Sequence, residues 1–134
     1  MKMNDEKMTQ ISVMIQRSDM KEIDLISADQ GRRRARLCRD VVYLGIMDYR
    51  RIISEGGPYH RSIHRGEMVT LNIHITGGQN FYIEKYMNLQ DRGRSAMFRD
   101  IFDLGLKQYR TKLEEAGGGL PDIDRGELDD HVFK

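Results

Sequence analysis

Two short runs of residues carry side chains suited to the edge of a base pair. Gln10, Ser12 and Met14 alternate with Ile11, Val13 and Ile15, and Thr70, Asn72 and His74 alternate with Leu71, Ile73 and Ile75. Asn and Gln carboxamides suit adenine, His can reach a guanine acceptor, and Ser, Thr and Met can meet a thymine methyl. A second set of residues is suited to phosphate. Five arginines lie within residues 32–39, and Arg92 and Arg94 stand with Ser95 at the corresponding place further along. A guanidinium presents a planar fork of donors that matches phosphate oxygens.

Other chemistry is poorly provided for. The chain has no P-loop, no H-E-x-x-H, no G-x-S-x-G, and no histidine beside a plausible nucleophile. An enzyme is therefore not expected, nor is a cofactor. His60 and His64 have i,i+4 spacing but lie in a Gly-Pro segment without a third ligand, so no metal is expected. The single cysteine, Cys38, excludes an internal disulfide framework and reads as a small core residue in a reducing cytoplasm. No run approaches the roughly 18 to 20 apolar residues of a membrane span. The polar start Met1–Lys7 does not read as a signal peptide. The expected location is cytoplasmic, on the nucleoid when bound.

Charge is unevenly spread. The net charge is +1, yet residues 116–134 hold five carboxylates against two cations, −3, which leaves +4 on residues 1–115. A basic body with an acidic tail favours a polyanionic partner.

The elements that must position these residues come in two copies. Displacing the chain by 60 residues aligns 8–67 with 68–127, and identities cluster in one stretch. There Arg39, Asp40, Leu44, Gly45, Tyr49 and Arg50 match Arg99, Asp100, Leu104, Gly105, Tyr109 and Arg110. A second cluster matches Ile63, Arg65, Gly66 and Glu67 with Ile123, Arg125, Gly126 and Glu127. Internal repetition of this kind implies a repeated structural unit.

Each copy opens on strict alternation, which predicts a half-buried strand. Ser18-Asp19 with Glu22 predicts the start of a first helix running to about Ala28, with Ile23 and Ile26 inward. Its counterpart is expected from about Asn80, after Gly77-Gly78, with Ile83, Tyr86 and Met87 inward. A longer second helix is predicted over 33–54 and 93–114, ended by Gly56-Gly57-Pro58 and Gly117-Gly118-Gly119. Gly45 and Gly105 sit mid-helix, where glycine costs about 1 kcal/mol, so a close helix crossing is expected there. Tyr49 and Tyr109 are expected in the core. Arg39-Asp40 and Arg99-Asp100 are expected in ion pairs, solvated or between copies.

One strand and two helices cannot bury their apolar sides alone. Pairing the two strands antiparallel, with four helices behind, buries Ile11, Val13, Ile15, Leu71, Ile73 and Ile75. The expected fold is α+β, mostly α: a two-stranded antiparallel ribbon and four helices sharing one core. The units are 8–55 and 68–115, joined by a linker 56–67 and followed by the acidic, Gly-rich tail 116–134.

This layout resembles the ribbon-helix-helix regulators, with which it shares the strand pattern and the helix-start stretches Gly31-Arg32-Arg33-Arg34-Ala35-Arg36 and Arg92-Gly93-Arg94-Ser95-Ala96. The two fused copies look like the conjugation-accessory regulators of F-like plasmids. The resemblance implies a double-stranded DNA partner. Gln10, Ser12, Met14, Thr70, Asn72 and His74 would read bases in the major groove. Arg32, Arg33, Arg34, Arg92, Arg94 and Ser95 would hold phosphate at the second helix of each copy. It further implies a regulator of plasmid or mobile-element genes, with several chains associating on adjacent sites. Two alternatives stand beside it: a relaxosome accessory protein at a transfer origin, and an antitoxin-like module holding a protein through its acidic tail. Because the two strands differ, an asymmetric site is expected.

Overall fold

Alternation of β-branched with polar residues and helical spacing of apolar ones fold here into six elements. A computed structural model describes residues 8–63, 66–117, 119–121 and 123. The order is β1 (Met8–Gln16), α1 (Arg17–Gln30), α2 (Arg34–Ser54), β2 (Met68–Thr76), α3 (Gly77–Gln90) and α4 (Arg94–Glu115). The fold is α+β and mostly helical, with one two-stranded antiparallel sheet.

The sheet register places Ser12 opposite Asn72, Gln10 opposite His74 and Met14 opposite Thr70. Ser12 and Asn72 are also the positions related by the 60-residue displacement, so the ribbon is centred on them. One face buries Ile11, Val13, Ile15, Leu71, Ile73 and Ile75. A two-stranded ribbon is marginal in water by itself, so this buried face is what holds it. Behind it lies a single cluster to which all four helices contribute, among others Ile23, Leu37, Val41, Ile83, Tyr86, Met97, Phe98 and Ile101. Each fully buried Leu, Ile or Phe adds about 1.5–3 kcal/mol of hydrophobic stabilisation. Tyr49 and Tyr109 belong to this core, as expected. So does Cys38, whose thiol burial pushes up to about 12.

The two long helices cross where the mid-helix glycines stand. A methyl at Gly45 would lie 2.0 Å from the Ile101 carbonyl oxygen, and one at Gly105 would lie 1.9 Å from the Val41 oxygen. These are reciprocal contacts, 41 and 45 answering 101 and 105, and only backbone fits between the helices there. The same reciprocity holds elsewhere. Arg110 grips Glu22 at 2.6 and 2.7 Å, and the counterpart Arg50 lies 5.4 Å over the Tyr82 ring.

Helix starts differ from expectation in both halves of the chain. Helix α1 begins at Arg17, directly from the strand, and its N-cap is Gln16, whose side chain makes no cap bond. Ser18 and Asp19 are therefore already helical, because pairing of Gln16 with Met68 carries the strand to the helix edge. Helix α3 begins at Gly77, three residues before the expected Asn80. Thr76 and Gln79 form a capping box that admits both glycines into the first turn. The breaks after α1 and α3 fall where expected: Gly31 and Asp91 close them in the left-handed region, at φ 64° and 52°.

The segment joining the halves is packed against α2 and α4. Tyr59 lies 6.2 Å from the Tyr49 ring, His60 Nε2 is 2.5 Å from Asp103 Oδ2, and Ser62 N donates to Asp100 Oδ1 at 2.8 Å. His60 thus engages a carboxylate of α4; His64 lies outside the described residues. Among the described residues no helix is long and apolar enough to cross a membrane.

Candidate nucleic-acid interface

Strand alternation puts one face of the ribbon in the core and the other in solvent. Gln10, Ser12, Met14, Thr70, Asn72 and His74 are all exposed, and all stand on the solvent face. The six candidate base-reading residues therefore form three facing pairs on one surface. Thr70 Oγ1 donates to Met14 Sδ at 3.3 Å.

The edges of the ribbon are covered by Arg39 and Arg99, whose expected partners are carboxylates or DNA and not strand carbonyls. Arg39 of α2 donates to the His74 carbonyl at 3.1 Å, and Arg99 of α4 donates to the Met14 carbonyl at 3.1 Å. Each holds the backbone of a solvent-face residue on the strand from the other half of the chain. The Met14 amide points at Ser95 Oγ, 3.4 Å away. Position 35, the counterpart of Ser95, is Ala35 and offers no hydroxyl. These bonds bring the first two turns of α4 and the second turn of α2 against the two ribbon edges. Burial pulls the Arg99 guanidinium below its ordinary value.

The candidate phosphate residues divide in two. Arg32 ion-pairs with Asp40 and donates to the Tyr109 hydroxyl at 2.9 Å, and Arg92 chelates Asp100 at 2.7 and 3.0 Å. Asp100 is fully buried, and the two arginine side chains are only 15% and 18% exposed. Removing one partner of such a pair costs about 3–5 kcal/mol, so both guanidiniums are tied to buried carboxylates. Asp40 and Asp100 thus find their partners eight residues upstream, in Arg32 and Arg92.

Arg33, Arg34, Arg94 and Ser95 are placed differently. Arg33 is exposed at the N-cap of α2. Arg34 pairs with Asp24 at 2.8 Å with both side chains 47% exposed, and Arg94 bonds Glu84 at 2.9 Å and Asn80 at 3.0 Å. Exposed pairs of this kind are worth about 0–1 kcal/mol, so a phosphate can replace the carboxylate at little cost. Neither α2 nor α4 has an acidic residue in its first turn or a side-chain cap. Their leading N–H groups and positive dipole ends suit an anion.

Beside the start of α2 a cleft of about 600 Å³ is lined by Gln30, Gly31, Arg32, Arg33, Arg36 and Asp40 on one side. Leu120, Pro121 and Ile123 line the other. Residues 124–134, the more acidic part of the tail that the antitoxin-like alternative would use, lie outside the described residues. No group of three or more His, Cys, Asp or Glu able to hold a metal occurs among the described residues.

Compared with known proteins, the chain matches no family model, no curated protein and no solved structure.

Proposed function

We propose that this chain is a sequence-specific, double-stranded DNA-binding regulator made of two fused ribbon-helix-helix units. Its ribbon enters the major groove. The observation that carries the reading is the ribbon's solvent face, where six side chains able to bond or touch base edges stand together over an apolar floor. Two strands about 4.8 Å apart fit a groove about 12 Å wide. Arg33, Arg34, Arg94 and Ser95, with the first turns of α2 and α4, hold the phosphates on either side. Arg39 and Arg99 keep the strand edges in place from behind. Control of plasmid or mobile-element genes rests on the family resemblance alone.

Fluorescence anisotropy with labelled duplexes tests the reading. Specific binding should exceed binding to random duplex by at least about 10³-fold. Asn72→Ala or His74→Ala should relax preference at particular base pairs by about 1–3 kcal/mol. Arg34→Ala should weaken all duplexes alike and reduce the salt slope by about 0.9 for each phosphate no longer neutralised. Uniform loss on every sequence from both kinds of change would refute reading by the ribbon.

A further inference from the structure

The register gives the ribbon two chemically different ends. Gln10 faces His74 at one end, Ser12 faces Asn72 at the centre, and Met14 faces Thr70 at the other end. The first pair carries a carboxamide and an imidazole, both hydrogen-bonding groups. In the last pair the Thr70 hydroxyl is engaged with the Met14 sulfur, and Met14 is 38% exposed despite being apolar. That pair therefore offers methyl groups and a thioether to whatever lies above it. Beyond these pairs Met8 faces Thr76 and Gln16 faces Met68. Thr76 is buried in the cap of α3 and Gln16 stands at the N-cap of α1, so each outer pair leaves one methionine to the ribbon.

Spacing sets what each pair can meet. Solvent-face residues two apart on a strand are separated by about 6.7 Å, which is close to two base-pair rises of about 3.4 Å. Three successive pairs then span about five or six base pairs. Ends of unlike chemistry must face different bases within that span.

We infer that the ribbon reads DNA with a direction. The Gln10–His74 end takes purine edges through hydrogen bonds, and the Met14–Thr70 end takes thymine methyl groups through apolar contact. This rests on the duplex-reading function proposed above. Glutamine bonds adenine N6 and N7, histidine donates to guanine N7 or O6, and methyl-bearing side chains pack on the thymine C5 methyl. Asn72, at the centre and opposite the smaller Ser12, orders an adenine between the two ends.

The test uses the full chain and lets the protein choose its own operator. Selection from a random duplex library should yield a non-palindromic consensus, purine-rich at one end and thymine-bearing at the other. In the selected duplex each thymine is then replaced by uracil, which removes only the methyl, and each purine by its 7-deaza analogue, which removes N7. Uracil should weaken binding about fourfold per contacted methyl, at one end only. The 7-deaza analogues should act at the other end and at the central adenine, and not at the thymine end. Met14→Ala should reduce the uracil effect and spare the 7-deaza effects, whereas Gln10→Ala should remove the 7-deaza effect at the adenine it reads and spare the uracil effect. A palindromic consensus, or analogues acting equally at both ends, would overturn the direction while leaving DNA reading intact. Failure to enrich any sequence would defeat the proposed function and this inference with it.

Discussion

Substituting Gly45 by alanine sets two well-known effects against each other. In an isolated helix the change stabilises by about 1 kcal/mol, because glycine loses more backbone freedom. Here the new methyl would sit 2.0 Å from the Ile101 carbonyl oxygen. An ordinary contact needs more than an ångström of additional separation, and the obstacle is backbone, which cannot rotate away. Helices α2 and α4 must part, loosening Val41, Leu44, Ile101 and Leu104 around the crossing. Overpacking a core costs about 1–3 kcal/mol and occasionally more, and a backbone obstacle belongs at the upper end. We expect a net loss of about 3 kcal/mol, a large fraction of the 5–15 kcal/mol typical of a domain. Urea unfolding followed by circular dichroism should show the midpoint falling with little change in slope. Gly105→Ala, 1.9 Å from the Val41 oxygen, should cost a similar amount. The double variant should lose less than the sum, because one parting of the helices relieves both clashes. Stability equal to or above that of the parent for either single variant would refute the close crossing.

Three further outcomes are expected. Arg92→Met leaves Asp100 buried without its bidentate partner and should destabilise by about 3–5 kcal/mol in the same urea assay, whereas Arg33→Met, at an exposed position, should change stability by no more than about 0.5 kcal/mol. Thr76→Ala removes the capping box of α3 and should cost about 1 kcal/mol in thermal or urea unfolding, a loss that no change at Ser18 should reproduce. The Cys38 thiol, raised from 9.0 to about 12 by burial, favours the folded state fully below pH 9 and progressively less as pH rises towards 12. Stability should therefore fall by about 1.4 kcal/mol per pH unit from this group across that window. At pH 8 a thiol reagent should label the folded protein far more slowly than the urea-unfolded chain, and equal rates would contradict the burial.

The strands and long helices are legible in the sequence because each obeys one periodicity, and the glycines at 45 and 105 announce the crossing by their cost. The register is not legible, since alternation assigns residues to a face without saying which lie opposite. The arginine run is only half legible. A helix-start position does not reveal that Arg32 and Arg92 turn inward to Asp40 and Asp100, which requires the tertiary placement of α2 and α4. The strand-holding role of Arg39 and Arg99 is hidden for the same reason, because their carbonyl partners, His74 and Met14, lie 35 and 85 residues away. The start of α3 falls earlier than its residues suggest because Gly77-Gly78 reads as a break. The one signal for it is Thr76 followed three residues on by Gln79.

Because β1 pairs with β2 and α2 crosses α4 inside one chain, the ribbon exists at any dilution. A reader assembled from two separate chains falls apart as its concentration drops, and its affinity for any ligand then includes the cost of association. Here the segment from Glu55 to Glu67 takes the place of subunit concentration and holds the halves together at an effective value of about millimolar. Titrations at picomolar and micromolar protein should therefore report one dissociation constant.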